Sequence, residues 1–408
     1  MDAYKNARLI VLRLVEAGYI AYFAGGWVRD FVIGHPSEDI DIATNAPPDK
    51  IMELFENTVP VGLAFGIVLV ILDGHQYEVA TFRKDLHYYD GRHPEGIVLS
   101  NPMEDALRRD FTINGMFYDP LEKQIHDHVH GLRDINLGII RTIGDPHERF
   151  FEDRLRMLRA FRFAARFGFS IEQETQDAIV ENRDKLFPAV AYERVWQEFN
   201  KMVAYPRFDQ AIVEMHRLGL LDVIFPEMVG MHINDLRHIV DRFTHFQKNT
   251  PTILYLMELL PQLNLNGKIN VCKRIKASNK DIKLIESLDQ VEQAIAQEIQ
   301  MDLWKWAHVM ANPDFHLCLE TLAARSENRE SFLKKYHQFY HLLEPHVSRI
   351  REHKPVVNAS FLKQIGILPG KKMGLLLKEA EKMSVNDNIH DADHIIKRLQ
   401  THPIWFQE

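Results

Sequence analysis

Near Pro146 the hydrophobic rhythm of the sequence changes, and that change constrains the fold more than any single motif. Upstream, helix and strand patterns alternate. Residues 7–17 have the apolar spacing of a helix stopped by Gly18, and 19–24 form a short apolar run ending at Gly25-Gly26. Residues 27–33 then read as a helix closed by Gly34. Residues 38–43 alternate acids with Ile, and 65–72 and 77–82 are rich in strand formers. A polar stretch, 84–96, carries Gly91, Pro94 and Gly96 and reads as a loop. Downstream, helical patterns dominate, at 150–167, 171–185, 192–203 and 208–218. The expected architecture is an α+β head with a mixed sheet, followed by an all-α remainder. With 408 residues the chain should build more than one core.

Composition narrows the function classes. A net charge of −8 argues against a surface that attracts nucleic acid everywhere, but leaves room for a local basic groove. Two cysteines, Cys272 and Cys318, exclude a disulfide scaffold or a multi-cysteine metal cluster and fit a reducing cytosol. The longest apolar run, 67–72, is far short of the roughly 20 residues of a spanning helix. The N-terminus lacks a signal-peptide pattern. A cytoplasmic protein without membrane association is expected.

The chemistry is concentrated in a few places. Asp39 and Asp41 flank Ile40, so on a strand both carboxylates share one face. Two like charges held together favour a bridging cation, and oxygen ligands of this kind suit Mg²⁺ with substrate phosphates; the plain alternative is an exposed acidic edge. Gly25-Gly26, between a strand and a helix, allows backbone N–H groups to approach a phosphate, with Arg29 in reach of the same anion. Arg108-Arg109 could clamp a triphosphate or ribose, or be a solvated pair.

Together, Gly25-Gly26-x-x-Arg29-Asp30, Gly34, Asp39-x-Asp41 and Thr44 resemble the signature of the nucleotidyltransferase superfamily that includes DNA polymerase β. More narrowly, the chain resembles the class II tRNA nucleotidyltransferases, the CCA-adding enzymes, and the related bacterial poly(A) polymerases. The resemblance continues at Arg108 to Asn114, Gly144-Asp145-Pro146, Glu152-Asp153-x-x-Arg156-x-x-Arg159-Ala160-x-Arg162-Phe163 and Glu193-Arg194, covering about the first 200 residues. It implies a polymerase-β-like head over 1–141, a base-selecting neck over 142–206, a body over 207–300 and a tRNA-binding tail over 301–408. It implies catalysis by Asp39 and Asp41 with Mg²⁺, and nucleotide contacts from Gly26, Arg29, Arg109, Asp153, Arg156, Arg159 and Arg162. CTP, ATP and tRNA are the implied partners. Two departures stand out: Gly115 where Ala is more usual, and Arg154 where Pro or Ala commonly follows Glu-Asp.

Base selection can be reasoned from the residues. Residues 152–166 read as one helix with an arginine face and an opposed apolar face. On it Asp153 and Arg156 are three apart and can lie side by side. Carboxylate beside guanidinium complements the amine-then-nitrogen edges of cytosine and adenine. Guanine and uracil present a carbonyl where the amine would be, leaving the Asp unpaired. Glu78 is either a third carboxylate near the metals or an exposed strand residue. The 84–96 stretch resembles the loop implicated in switching from C to A addition.

Weaker signals get plainer readings. His126-Asp127-His128-x-His130 is read as a structural turn rather than a metal site, and His390-Asp391 with His394 does not assemble the dispersed HD phosphohydrolase set. Gly366-x-x-x-Gly370-Lys371 is one residue short of a P-loop. Between 332 and 378, nine Lys or Arg stand against Glu344 and Glu352, with Tyr336, Phe339 and Tyr340 interleaved; an RNA-backbone patch is preferred to a solvated face. The expected activity is template-independent addition of C, C and A to tRNA. The rivals are a poly(A) polymerase, a CC- or A-adding enzyme, and a silent RNA-binding protein on the same scaffold. Residues 61–69 lack the basic pair and His that such poly(A) polymerases carry, which favours tRNA.

Overall fold

The computed structural model describes residues 3–35, 37–86, 96–298 and 300–406, and the chain divides into two compact units, 1–237 and 238–408. The first unit opens on α1 (Ala3–Glu16), whose Ala7, Ile10, Val11 and Leu14 repeat at helical spacing and are all buried. Then come β1 (Ala21–Ala24), α2 (Gly26–Ile33), β2 (Asp41–Thr44), α3 (Pro48–Leu54), β3 (Thr58–Gly62), β4 (Ile67–Leu72) and β5 (His75–Thr81). A two-residue Asp73-Gly74 turn, both residues at positive φ, joins β4 to β5. Short strands β6 (Arg83–Asp85) and β7 (Ile97–Leu99) pair with each other. Most of the expected 84–96 loop, residues 87–95, lies outside the described residues.

After α4 (Pro102–Leu107), strands β8 (Met116–Asp119) and β9 (Gln124–Asp127) complete a seven-stranded sheet in the order β3-β4-β5-β2-β1-β8-β9. The sheet is mixed, as expected: β2 and β5 run parallel and the other pairs antiparallel. Alternation places Phe23, Ile42, Val68 and Val79 in the main core, and Ala24, Ala43 and Phe117 in a second core on the other face. The register sets Ile42 against Val79, which makes Asp41 and Glu78 neighbours at one end of adjacent strands.

Helix α5 (Gly131–Leu137) starts at the histidine-rich turn. Asp127 accepts hydrogen bonds from the backbone N–H groups of Val129, Gly131 and Leu132, so the turn reading of 126–130 holds. Strand β10 (Ile139–Ile140) pairs with β11 (Ser170–Ile171). Between them lies the main departure from expectation. Residues 150–167 are not one helix. Helix α6 (Pro146–Glu152) ends at Asp153, which is extended (φ −146°, ψ 103°), and α7 (Arg156–Phe167) restarts two residues later. The Asp153 carboxylate accepts from the N–H of Leu155, a local bond that competes with helix continuation. Helices α8 (Gln173–Asn182), α9 (Tyr192–Met202) and α10 (Phe208–Arg217) pack behind.

Every described regular element of the second unit is helical. Arg325 joins Glu258 and Glu292 inside it. The 23-residue helix Arg329–Arg351 carries much of the basic stretch, but its aromatic residues face inward: Tyr336 is buried and bonds Glu298, Phe339 packs on Trp306, and Tyr340 stacks on Phe315. Tyr336 belongs to the core, and Phe339 and Tyr340 are half-buried against it. Asp391 caps a helix by accepting from the backbone N–H of His394, and among the described residues no group of three or more His, Cys, Asp or Glu is placed to hold a metal.

Candidate active site

Gly25 closes β1 and enters α2 at φ 66°, ψ −130°, a conformation that favours glycine. A Cβ there would stand 3.2 Å from Arg109 Nη1 and 3.6 Å from an Asp41 carboxylate oxygen, so Asp41 and Arg109 approach each other over bare backbone. Of the Gly25-Gly26 pair, the conformational requirement falls on Gly25, since a Cβ at Gly26 would meet only ordinary contact. Gly25→Ala should strain this turn by about 1–3 kcal/mol and raise the KM for nucleotide roughly tenfold. Steady-state kinetics with CTP and ATP checks it.

Asp39 is exposed just before β2, Ile40 and Ile42 are buried, and Asp41 is half-buried, so the Asp-x-Asp alternation is as expected. The Asp41 carboxyl is pushed up to about 6 by burial and then by the negative charges of Glu78 and Asp39, with Arg109 opposing. Asp41 thus sits among like charges that Arg109 only partly offsets. Asp39 and Asp41 offer hard oxygen donors of the kind that would suit a divalent metal, with Glu78 acting on Asp41 from the next strand.

Beside Gly25 and Gly26 opens a cleft of about 520 Å³ lined by eight arginines and only two acids, Asp110 and Asp153. It gathers every expected nucleotide contact: Gly26, Arg29, Arg109, Asp153, Arg156, Arg159 and Arg162. Asp39 and Asp41 are not in its lining; Asp41 stands at the edge, over Gly25. The positive excess suits a triphosphate.

Each arginine is held by a carboxylate. Arg29 is buried, bonds Asp30 and Asn114, and lies over the Phe163 and Phe167 rings, so it is anchored rather than freely reaching for an anion. Burial and nearby Arg166 lower its pKa, and Asp30 opposes them. Asp30 also binds Arg166. Asp105, 1% exposed, takes both Arg108 and Arg109, three and four residues ahead of it. Arg159 pairs with Asp110 at 2.5 Å, and Arg162 with Glu198 at 2.6 Å.

Asp153 and Arg156 are brought to the same cleft but not to each other. Arg194 holds the Asp153 carboxylate at 3.0 Å, while the Arg156 guanidinium bonds Glu152 and the carbonyls of Arg149 and Arg108. The reason is the helix break at Asp153, which removes the shared helical face.

Sequence reasoning overlooked Asp105, Asp110 and Glu198 as supports. Asp105 had a signal, its helical spacing to two arginines. Glu198 lies 36 residues from Arg162 and Asp110 lies 49 from Arg159, so neither had a local one. Burial alone would raise the Asp110 carboxyl, but Arg159 and the Asn114 amide hold it far below the usual range. Its contribution to stability is therefore full above the unfolded value near 3.9 and is lost as pH falls below that. Asp110→Ala should cost about 3–5 kcal/mol at pH 7 and flatten the acid limb of the pH–stability curve, read by urea unfolding between pH 3 and 7.

Gly115 also finds its explanation. A Cβ there would lie 2.6 Å from Val129 and 2.9 Å from Ile143, so those side chains occupy the space an alanine methyl would need.

Residues 21–141 match the poly(A) polymerase head domain, and 168–231 match a probable RNA- and SrmB-binding site of polymerase A. The CCA-adding enzyme of Leuconostoc mesenteroides is 32% identical over 403 residues, covering 96% of this chain and 95% of that one. That of Pediococcus pentosaceus is 32% identical, covering 95% and 94%. The crystal structure of the Bacillus stearothermophilus CCA-adding enzyme in complex with CTP superposes with a TM-score of 0.79 at 25% identity, covering 98% of each chain. No described helix is long and apolar enough to cross a membrane. With relatives of one kind matching nearly end to end and the same fold in the solved neighbour, this chain belongs to the family of CCA-adding enzymes.

Proposed function

We propose that the protein adds C, C and A to the 3′ end of tRNA from CTP and ATP, without a nucleic-acid template and with release of pyrophosphate. The observation that carries this reading is the arginine cleft beside Asp41, with Asp153 in its wall, in a chain of this family. Nucleotidyltransferases of the family generally use divalent metals. Mg²⁺ is our choice here, held by Asp39 and Asp41 because hard oxygen donors and phosphates suit it. When bound, it lowers the pKa of the attacking 3′ hydroxyl and neutralises charge on the departing pyrophosphate.

The chain's own residues do the positioning. Backbone at Gly25-Gly26 leaves room for the phosphates, with Arg109 held beside them by Asp105. Arg29, Arg159 and Arg162, each anchored by an acid, set the positive field of the cleft before substrate arrives. Asp153 and Arg156 read the base once they exchange Arg194 and Glu152 for its edge. Segments 1–141, 142–206, 207–300 and 301–408 act as head, neck, body and tail, in the cytoplasm, with the basic tail holding tRNA.

Incubation with Mg²⁺, one labelled nucleotide at a time, and tRNA ending in the discriminator base, C or CC tests the proposal. CMP should join the first two and AMP the third, stopping after one A. Long A tails on unrelated RNA would point to poly(A) synthesis, and no incorporation to a binding protein.

A further inference from the structure

Arg154 stands apart from the arginines around it. Each of the eight in the cleft has a carboxylate partner, whereas the Arg154 guanidinium has no hydrogen bond or ion pair to any described residue. Its Nη1 is shut from water and unpaired, in a side chain only half-buried. An uncompensated, partly dehydrated cation is costly, and an anion arriving beside it would remove that cost. Burial already lowers its pKa.

Its one contact with a defined geometry is the ring of Phe151, whose centroid lies 5.9 Å away. Phe151 is 59% exposed at the end of α6, although Phe150 beside it is fully buried. An exposed aromatic face next to an unpaired guanidinium offers a plane for a base and a donor for a phosphate. Phe151 lies in the last turn of α6 and Arg154 in the break between α6 and α7. Asp153 and Leu155, on either side of Arg154, line the cleft, but Arg154 and Phe151 do not.

We infer that Phe151 and Arg154 form a contact for the 3′ end of the RNA acceptor, the ring stacking on a terminal base and the guanidinium binding a phosphodiester next to Asp153. This rests on the proposed tRNA-extending activity. A growing end must lie beside the base being selected, and Phe151 and Arg154 flank Asp153 in the chain without lining the cleft.

The test uses the full-length chain with Arg154→Gln, Arg154→Lys and Phe151→Ala, on tRNA ending in C or CC. Arg154→Gln should raise the Kd and KM for tRNA about tenfold while the KM for CTP stays within about twofold. The log–log salt slope of tRNA binding should become shallower by about 0.7–0.9. Arg154→Lys should restore the slope, and Phe151→Ala should weaken tRNA binding without changing it. Unchanged tRNA affinity and slope in Arg154→Gln would overturn the inference. So would an equal rise in the KM for CTP, or a drop in melting temperature accompanying the loss, since either assigns Arg154 to the cleft or to the helix junction. Absence of incorporation by the unaltered protein would instead sink the tRNA-extending reading itself.

Discussion

Asp41→Ala should lower incorporation of both CMP and AMP by about a thousandfold or more, while tRNA binding measured by filter retention stays within about twofold. The size follows from the place of this carboxylate. It is half-buried, and Glu78 and Asp39 add negative charge that Arg109 only partly offsets. Removing it takes away a metal holder without touching the basic tail. Both nucleotides should suffer alike, because Asp41 stands over Gly25 and not at the base-reading wall of the cleft. Undiminished activity in the variant would refute the metal assignment, and selective loss of one nucleotide would move Asp41 into base selection.

Asp153→Ala should act on discrimination. In the cleft Asp153 is the acid held by Arg194, and on the proposed reading it is the acceptor that cytosine and adenine amines require. Its removal should lower kcat/KM for CTP and ATP and shrink their advantage over UTP and GTP by about tenfold to a hundredfold, the cost of one buried charged hydrogen bond. Four-nucleotide competition on tRNA ending in CC measures it. An unchanged preference would place the base elsewhere. Because Glu152, not Asp153, holds Arg156 in the structure, Glu152→Gln should loosen Arg156 and lower the KM for nucleotide. A raised KM would make Glu152 a direct support of the bound state.

The fold was legible where local rules act alone. The alternation around Asp39, Ile40, Asp41 and Ile42 already told which side chains enter the core, and the break in rhythm near Pro146 marked where strands give way to helices. The helix boundary at Asp153 was not legible. Propensity and amphipathic phase both run through 150–167, and a single side-chain-to-backbone bond at Asp153, with Arg194 holding the same carboxylate from α9, stops the helix. In the basic stretch at 332–378, charge pattern does not reveal that Tyr336 is buried or that Phe339 and Tyr340 pack on Trp306 and Phe315.

Residue type and short-range periodicity specify the class of fold and the paired aspartates, while the family resemblance singled out the arginines that line the cleft. Which acid restrains which arginine, the positive φ at Gly25, and the lack of a partner for Arg154 among the described residues appear only in the folded chain. Those outcomes depend on residues distant in the chain arriving within a few ångströms of each other, and on burial, which makes an unpaired charge expensive and a paired one rigid.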